Sequence, residues 1–181
     1  SIVANPSTTP IFTSNDDNAE LKYLADVPAN QWPLYGARVG SFDEFRVSKT
    51  LSDRLTAIND PRLNVFGRPS QKSIVAGSPR IEGIPNGLGD VAALNYNGGP
   101  QGVSRVGYAY ACLVCNDGGQ AAPLPNIARG LIMTYAELQF ILAEAAEKGM
   151  ITGTTSAGDY YLRGIQANFS FYNSILPSQY G

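Results

Sequence analysis

Between Met133 and Asn173 the chain spells two amphipathic helices with their start signals, joined by a Gly/Thr loop, which commits the segment to a helical hairpin. Thr134 followed by Glu137 has capping-box spacing, in which the hydroxyl accepts an orphan amide and the carboxylate reaches back to the cap residue. A helix is therefore expected from Tyr135. Leu138, Ile141, Leu142 and Ala145 recur at helical steps, and Gly149 offers the left-handed conformation that commonly closes a helix near Lys148. Ser156 and Asp159 repeat the capping spacing, and Leu162, Ile165, Phe169 and Tyr172 continue as the second buried stripe.

Small residues fall where two such helices would touch: Ala143, Ala145 and Ala146 on the first, Gly164 and Ala167 on the second. A helical glycine costs about 1 kcal/mol relative to alanine, so Gly164 is expected to face a neighbouring backbone. Large and small residues alternating along a seam give tetratricopeptide-like packing, although the loop from Gly149 to Thr155 exceeds a tight repeat turn. One hairpin of this kind cannot bury its faces alone and needs neighbours to stack on.

A further helix is expected between Ser41 and Ile58, where Ser41 and Glu44 have capping-box spacing and Val47, Leu51, Leu55 and Ile58 form the stripe. Asp60-Pro61 stops it, because proline disfavours the helical conformation in the residue before it, and Leu63 to Phe66 is expected to be short and extended. Arg62 is expected to tie down carbonyls or an acid at this turn rather than to hold a ligand. From Arg68 to Asn126 the chain is rich in Gly, Pro, Asn and Ser and reads as loop-bearing. Its Tyr96, Tyr108 and Tyr110, with Asn95 and Asn97, are residue types that bind sugars: flat rings stack on apolar pyranose faces and amides bond hydroxyls. Trp32 and Tyr35 form a second candidate platform. The competing reading has these rings fill a small core or pin loops.

Charge and composition exclude several functions. Thirteen basic against fifteen acidic residues, with no Lys/Arg run, give no electrostatic footprint for nucleic acid. No apolar stretch approaches the roughly 20 residues that cross a bilayer as a helix. With no histidine in the chain, no Ser-His-Asp or Cys-His arrangement is possible within it. Glu137 and Glu144 share a helix face but lie on the order of 10 Å apart by helical rise, too far for a glycosidase pair at about 5 or 6.5–9.5 Å. Cys112 and Cys115 form a lone Cys-x-x-Cys, which needs further ligands to close a zinc site and reads as small buried residues or a local disulfide. Gly87 to Ala92 spells a dinucleotide fingerprint without the flanking strand and βαβ unit it requires. Asn15-Asp-Asp-Asn18 offers oxygen ligands but lacks the calcium-loop glycine and glutamate, so a cap or turn is expected. No cofactor and no catalytic residue is assigned.

Four segments, in order, resemble the SusD/RagB family of Bacteroidetes outer-membrane nutrient-binding lipoproteins. They are Asp17 to Tyr23 with Trp32-Pro-Leu-Tyr35; Arg46 to Thr50 running to Asn59-Asp-Pro-Arg-Leu63; Gly83-Ile-Pro-Asn-Gly-Leu88; and Thr134 to Ala146, followed by Tyr160-Tyr-Leu-Arg-Gly-Ile165. The resemblance implies a mainly α fold of tetratricopeptide-like hairpins with long irregular loops. It also implies a partial chain, the internal to C-terminal portion of a protein several hundred residues long. Residues 1–181 are read as one region: a helical segment to residue 66, a loop-rich segment over 67–130 and the hairpin over 131–175. The implied function is non-catalytic capture of a glycan or other nutrient at the cell outer membrane, beside a SusC-like TonB-dependent transporter. Any lipid anchor would lie outside this chain. Trp32, Tyr96, Tyr108 and Tyr110 are the ligand-binding candidates. The alternative is a tetratricopeptide-like protein interaction module without a sugar site.

Overall fold

The structure is a computed structural model and describes residues 3, 5, 7–24, 26–33, 45–107 and 129–175. In chain order its elements are β1 (Ala19–Lys22), α1 (Lys49–Ala57), α2 (Leu63–Phe66), α3 (Gln71–Val75), α4 (Asp90–Asn95), β2 (Arg129–Met133), α5 (Tyr135–Glu147) and α6 (Ala157–Ile175), with short 3-10 turns between. Two units divide it: Ser1–Lys22 with Arg129–Ser174, and Tyr23–Ala128 with Ile175–Gly181. No helix among the described residues is long and apolar enough to cross a membrane.

In the first unit, β1 runs antiparallel to β2, with Glu20 opposite Leu131 and Lys22 opposite Arg129. The Glu20 carboxylate lies 3.4 Å from Arg129 Nε and 3.9 Å from Lys22 Nζ, so the pairing also carries opposite charge. β2 leads directly into α5 through Thr134, whose hydroxyl accepts from the Glu137 amide at 3.1 Å. A second cap was not legible from local spacing: Asn18 Oδ1 accepts from the Tyr135 amide at 2.6 Å. Asn15 Nδ2 meanwhile donates to the Ala167 carbonyl at 2.9 Å, which ties the same turn to α6. The acidic stretch Asn15–Asn18 therefore serves as a brace between two helices. Asp17 closes its own capping box, accepting from the Thr13 and Ser14 amides at 2.6 and 3.2 Å. The Thr13 amide is the leading cause holding this carboxyl below its ordinary value.

The hairpin helices start where their caps direct, and the first also stops where expected. Ser156 and Asp159 form the expected reciprocal box, with the Asp159 amide donating to Ser156 Oγ at 3.1 Å and the Ser156 hydroxyl to Asp159 Oδ2 at 2.8 Å. Gly149 adopts φ +66° just after α5, the left-handed residue that lets the chain turn away. The seam differs from the expected stripe. Ala136, Leu142, Ala143 and Ala167 are buried, whereas Ile141 and Leu162 are exposed. Gly164 is buried against the Phe140 ring, and not against a backbone as its helical cost suggested.

The second unit is held by short bridges and buried hydroxyls in place of a continuous sheet. Arg46 pairs antiparallel with Arg105, Gly67 antiparallel with Val106, and Ser48 parallel with Ile84. These pairings explain why α1 begins at Lys49 and excludes Val47 from its stripe: residues 46 to 48 are drawn into bridges, although Val47 is buried as expected. Ile84 sits at that helix start, its amide donating to the Val47 carbonyl at 2.8 Å and its carbonyl accepting from the Lys49 amide at 2.7 Å. Ser41 and Glu44, the expected start of this helix, lie outside the described residues. Within it Leu55 is buried, but Leu51 and Ile58 are exposed.

Leu63–Phe66 is helical, contrary to the extended segment expected from the proline. Asp60 explains it. Its Oδ1 accepts from the Arg62 amide and from Arg62 Nε, both at 2.9 Å, so the carboxylate caps the first turn. Pro61 then stands where its missing N–H is harmless. Arg62 also reaches Asp60 Oδ2 at 2.5 Å, the acid-tying role anticipated for it. Val47, Leu55, Val65 and Val103 form the apolar core of this unit, interleaved with buried Ser52, Ser70, Ser73 and Ser104. Ser73 Oγ accepts from the Arg80 amide at 2.9 Å and Ser104 Oγ from the Glu82 amide at 2.8 Å, while the Ser70 hydroxyl donates to the Glu82 carboxylate. Buried polar groups must be paired, and here the pairing fastens loop backbone to the core.

Candidate functional site

Of the four candidate ligand-binding residues, Trp32 and Tyr96 lie within the described residues and Tyr108 and Tyr110 outside them, as do Tyr35 and both cysteines. Trp32 is half-buried and meets Tyr23 edge to face, with ring centroids 5.1 Å apart and an interplanar angle of 71°. Such a T-shaped pair is worth about 0.5–1.5 kcal/mol beyond area burial and fixes the indole plane. Tyr23 carried no distinguishing signal beyond its place in the Asp17 to Tyr23 segment. The chain between the rings is folded by a 3-10 turn over Pro28–Asn30, where the Leu24 amide donates to the Asn30 carbonyl at 2.8 Å. Asp26 accepts from the Val27 amide at 2.7 Å, and this bond is the main reason its carboxyl sits below the ordinary value.

Tyr96, also half-buried, opens the 3-10 turn Tyr96–Gly98 that follows α4. Its field reaches Lys49. The pKa of that lysine is raised, first by the hydrogen bond to Asp53 and, as the smallest contribution, by the field of Tyr96. The two asparagines expected to bond sugar hydroxyls are engaged elsewhere. Asn95 Nδ2 donates to the Val91 carbonyl at 2.8 Å. Asn97 Nδ2 donates to the Gly102 carbonyl at 2.5 Å and its Oδ1 accepts from Lys72 Nζ at 3.0 Å. Asn97 itself has φ 52°, so its amide props a strained turn. A helix does open within the Gly87 to Ala92 spelling, namely α4 from Asp90, but a turn and an isolated bridge precede it instead of a strand.

A separate feature of the first unit went unread. The loop between α5 and α6 borders a cleft of about 660 Å³, whose apolar wall includes Val3, Ala146 and Ile151, with Tyr160 at one side. The signal in sequence was the uncharged run from Gly149 to Gly158. Nearby, Glu144 pairs with Lys148, and this hydrogen bond lowers its carboxyl below the ordinary value. Among the described residues no group of three or more His, Cys, Asp or Glu side chains comes together as a metal site would require.

Fold and site together describe a helical scaffold that presents aromatic rings and hydroxyl-bearing loops. Residues 1–180 match the SusD-like family described as starch-binding and associating with the outer membrane. No curated protein sequence matches the chain. Solved structures do. A SusD homologue from Bacteroides fragilis superposes with a TM-score of 0.74 at 24% identity, over 95% of this chain and 34% of that one. A second from the same species gives 0.65 at 28% identity, over 93% and 34%. A chitin-binding protein gives 0.67 at 23% identity, over 96% and 36%. The chain belongs to the SusD-like family, has its mainly helical fold, and spans about a third of the length of these solved relatives.

Proposed function

We propose that this chain forms part of a non-catalytic binding protein that captures a glycan at the outer-membrane surface and passes it to a SusC-like TonB-dependent transporter. The observation that carries the reading is the match of residues 1–180 to a family described as starch-binding and outer-membrane-associated. The name of the chitin-binding structural relative supports a polysaccharide as the nutrient. Lipid anchoring of the whole protein is part of the same proposal. Trp32, Tyr96, Tyr108 and Tyr110 include the stacking rings, and the Tyr23–Trp32 geometry supports a preset platform. Holding an aromatic ring in place before binding lowers the ordering cost of binding.

The test is calorimetry or affinity electrophoresis with a panel of soluble glycans on the full-length protein. A saturable signal, weakened when all four rings become alanine, is the expected result. Full affinity in the fourfold variant would remove these residues from the site. A protein interaction role has its own support in the exposed Ile132, Met150, Tyr161 and Leu162 of the first unit. It predicts polypeptide binding in the absence of sugar.

A further inference from the structure

The loop joining α5 to α6 is longer than a helical hairpin needs. α5 ends at Glu147 and α6 starts at Ala157, whereas antiparallel helices are commonly joined by about two to five residues. The extra residues border the cleft of about 660 Å³, a volume within the range of roughly 300–1,000 Å³ typical of small-molecule sites. Its polar lining is made of hydroxyls. That of Ser156 is committed to Asp159 at 2.8 Å. Those of Thr152, Thr154 and Thr155 make no hydrogen bond among the described residues. No charged residue occurs from Gly149 to Gly158.

Tyr160 supplies a flat apolar surface at the same cleft. Its amide donates to the Ser156 carbonyl at 3.1 Å, in the capped first turn of α6. The Arg163 guanidinium stands over the ring, 5.8 Å from its centroid, and steadies it by a cation–π contact. One braced ring, three threonine hydroxyls and no charge in the loop are the chemistry of a neutral saccharide site, with ring stacking for affinity and hydroxyls for orientation.

We infer that this cleft is a second saccharide subsite, separate from the Trp32 platform, that takes a neutral pyranose or short oligosaccharide. The inference rests on the glycan-binding reading above. The full-length protein, Tyr160→Ala, the volume-conserving pair Thr152→Val with Thr154→Val, and Trp32→Ala are titrated with maltoheptaose, chitohexaose, soluble starch, glycol chitin and anionic polygalacturonate. The expected result is loss of one oligosaccharide site in the Tyr160 and threonine variants. Trp32→Ala keeps the Tyr160 site. Unchanged stoichiometry in both cleft variants, with binding lost in Trp32→Ala, overturns the second subsite and leaves the proposed function standing. A parent protein that binds none of the glycans removes both, and a preference for polygalacturonate overturns the neutral assignment.

Discussion

Replacing Gly164 by alanine should destabilise the protein even though the position lies inside a helix. By propensity alone the change stabilises by about 1 kcal/mol. Space opposes it: an added Cβ would stand 2.8, 2.9 and 3.0 Å from three carbons of the Phe140 ring, where carbons settle at about 3.5–4.0 Å. The ring would have to withdraw by roughly 0.7 Å or swing aside, given that contact distance. Phe140 is 37% exposed, so it has room to move outward. Moving breaks its edge-to-face contact with Tyr161, whose centroid lies 5.5 Å away at an interplanar angle of 63°. That contact is worth about 0.5–1.5 kcal/mol, and overpacking of this kind commonly costs about 1–3 kcal/mol. Against the propensity gain, the expected net loss is about 1 kcal/mol. In a Phe140→Ala background the obstacle is gone, and Gly164→Ala should stabilise by about 1 kcal/mol. Urea unfolding followed by far-UV circular dichroism, on the four proteins of the double-mutant cycle, should thus give a coupling near 2 kcal/mol. A raised midpoint for Gly164→Ala in the parent, with coupling below about 0.5 kcal/mol, would show that the ring does not set this position.

Asp60 should make stability depend on acid: folding lowers its pKa, chiefly through the Arg62 hydrogen bond, so the stabilisation is present above the ordinary value of 3.8 and lost as pH falls through the lower folded value. Denaturant midpoints over this range should fall less steeply for Asp60→Asn, which at neutral pH should already be weaker by about 1–3 kcal/mol; parallel pH curves would refute the assignment. Gly83→Ala should lower the urea midpoint markedly, because its Cβ would meet Ser52 Oγ at 2.5 Å and the Lys49 backbone at 2.6 Å, where a helix start cannot yield as a side-chain tip can.

What could be read from sequence and what could not follow from the range of the interactions. Caps act over three residues, so Ser156 with Asp159 and Thr134 with Glu137 placed α5 and α6 correctly. The seam depends on which surfaces are available to cover it. Periodicity could mark Leu162 as apolar but not provide a neighbour, and the side chain is 57% exposed here. Asn18 capping α5, and Asn15 bonded to Ala167, join residues distant in the chain, and no local pattern encodes such pairs.

The same distinction separates the two kinds of candidate ligand contact. A ring that binds sugar must be held in a fixed orientation, and the T-shaped contact with Tyr23 holds Trp32 in one. An amide that binds sugar must keep its donor and acceptor, and Asn97 fails because Gly102 and Lys72 occupy both ends. Residue type alone treats Asn97 and the threonines of the α5–α6 loop as equals, since all three chemistries of hydroxyl, amide and ring suit a pyranose. Partnering distinguishes them. Asn97 lies in a turn whose backbone requires a brace, whereas Thr152 and Thr154 follow a helix already closed at Gly149 and precede one already capped by Ser156. With both helix ends satisfied by other residues, the threonine hydroxyls are not needed to hold the fold, and that is why they, and not Asn97, are the stronger polar candidates for ligand.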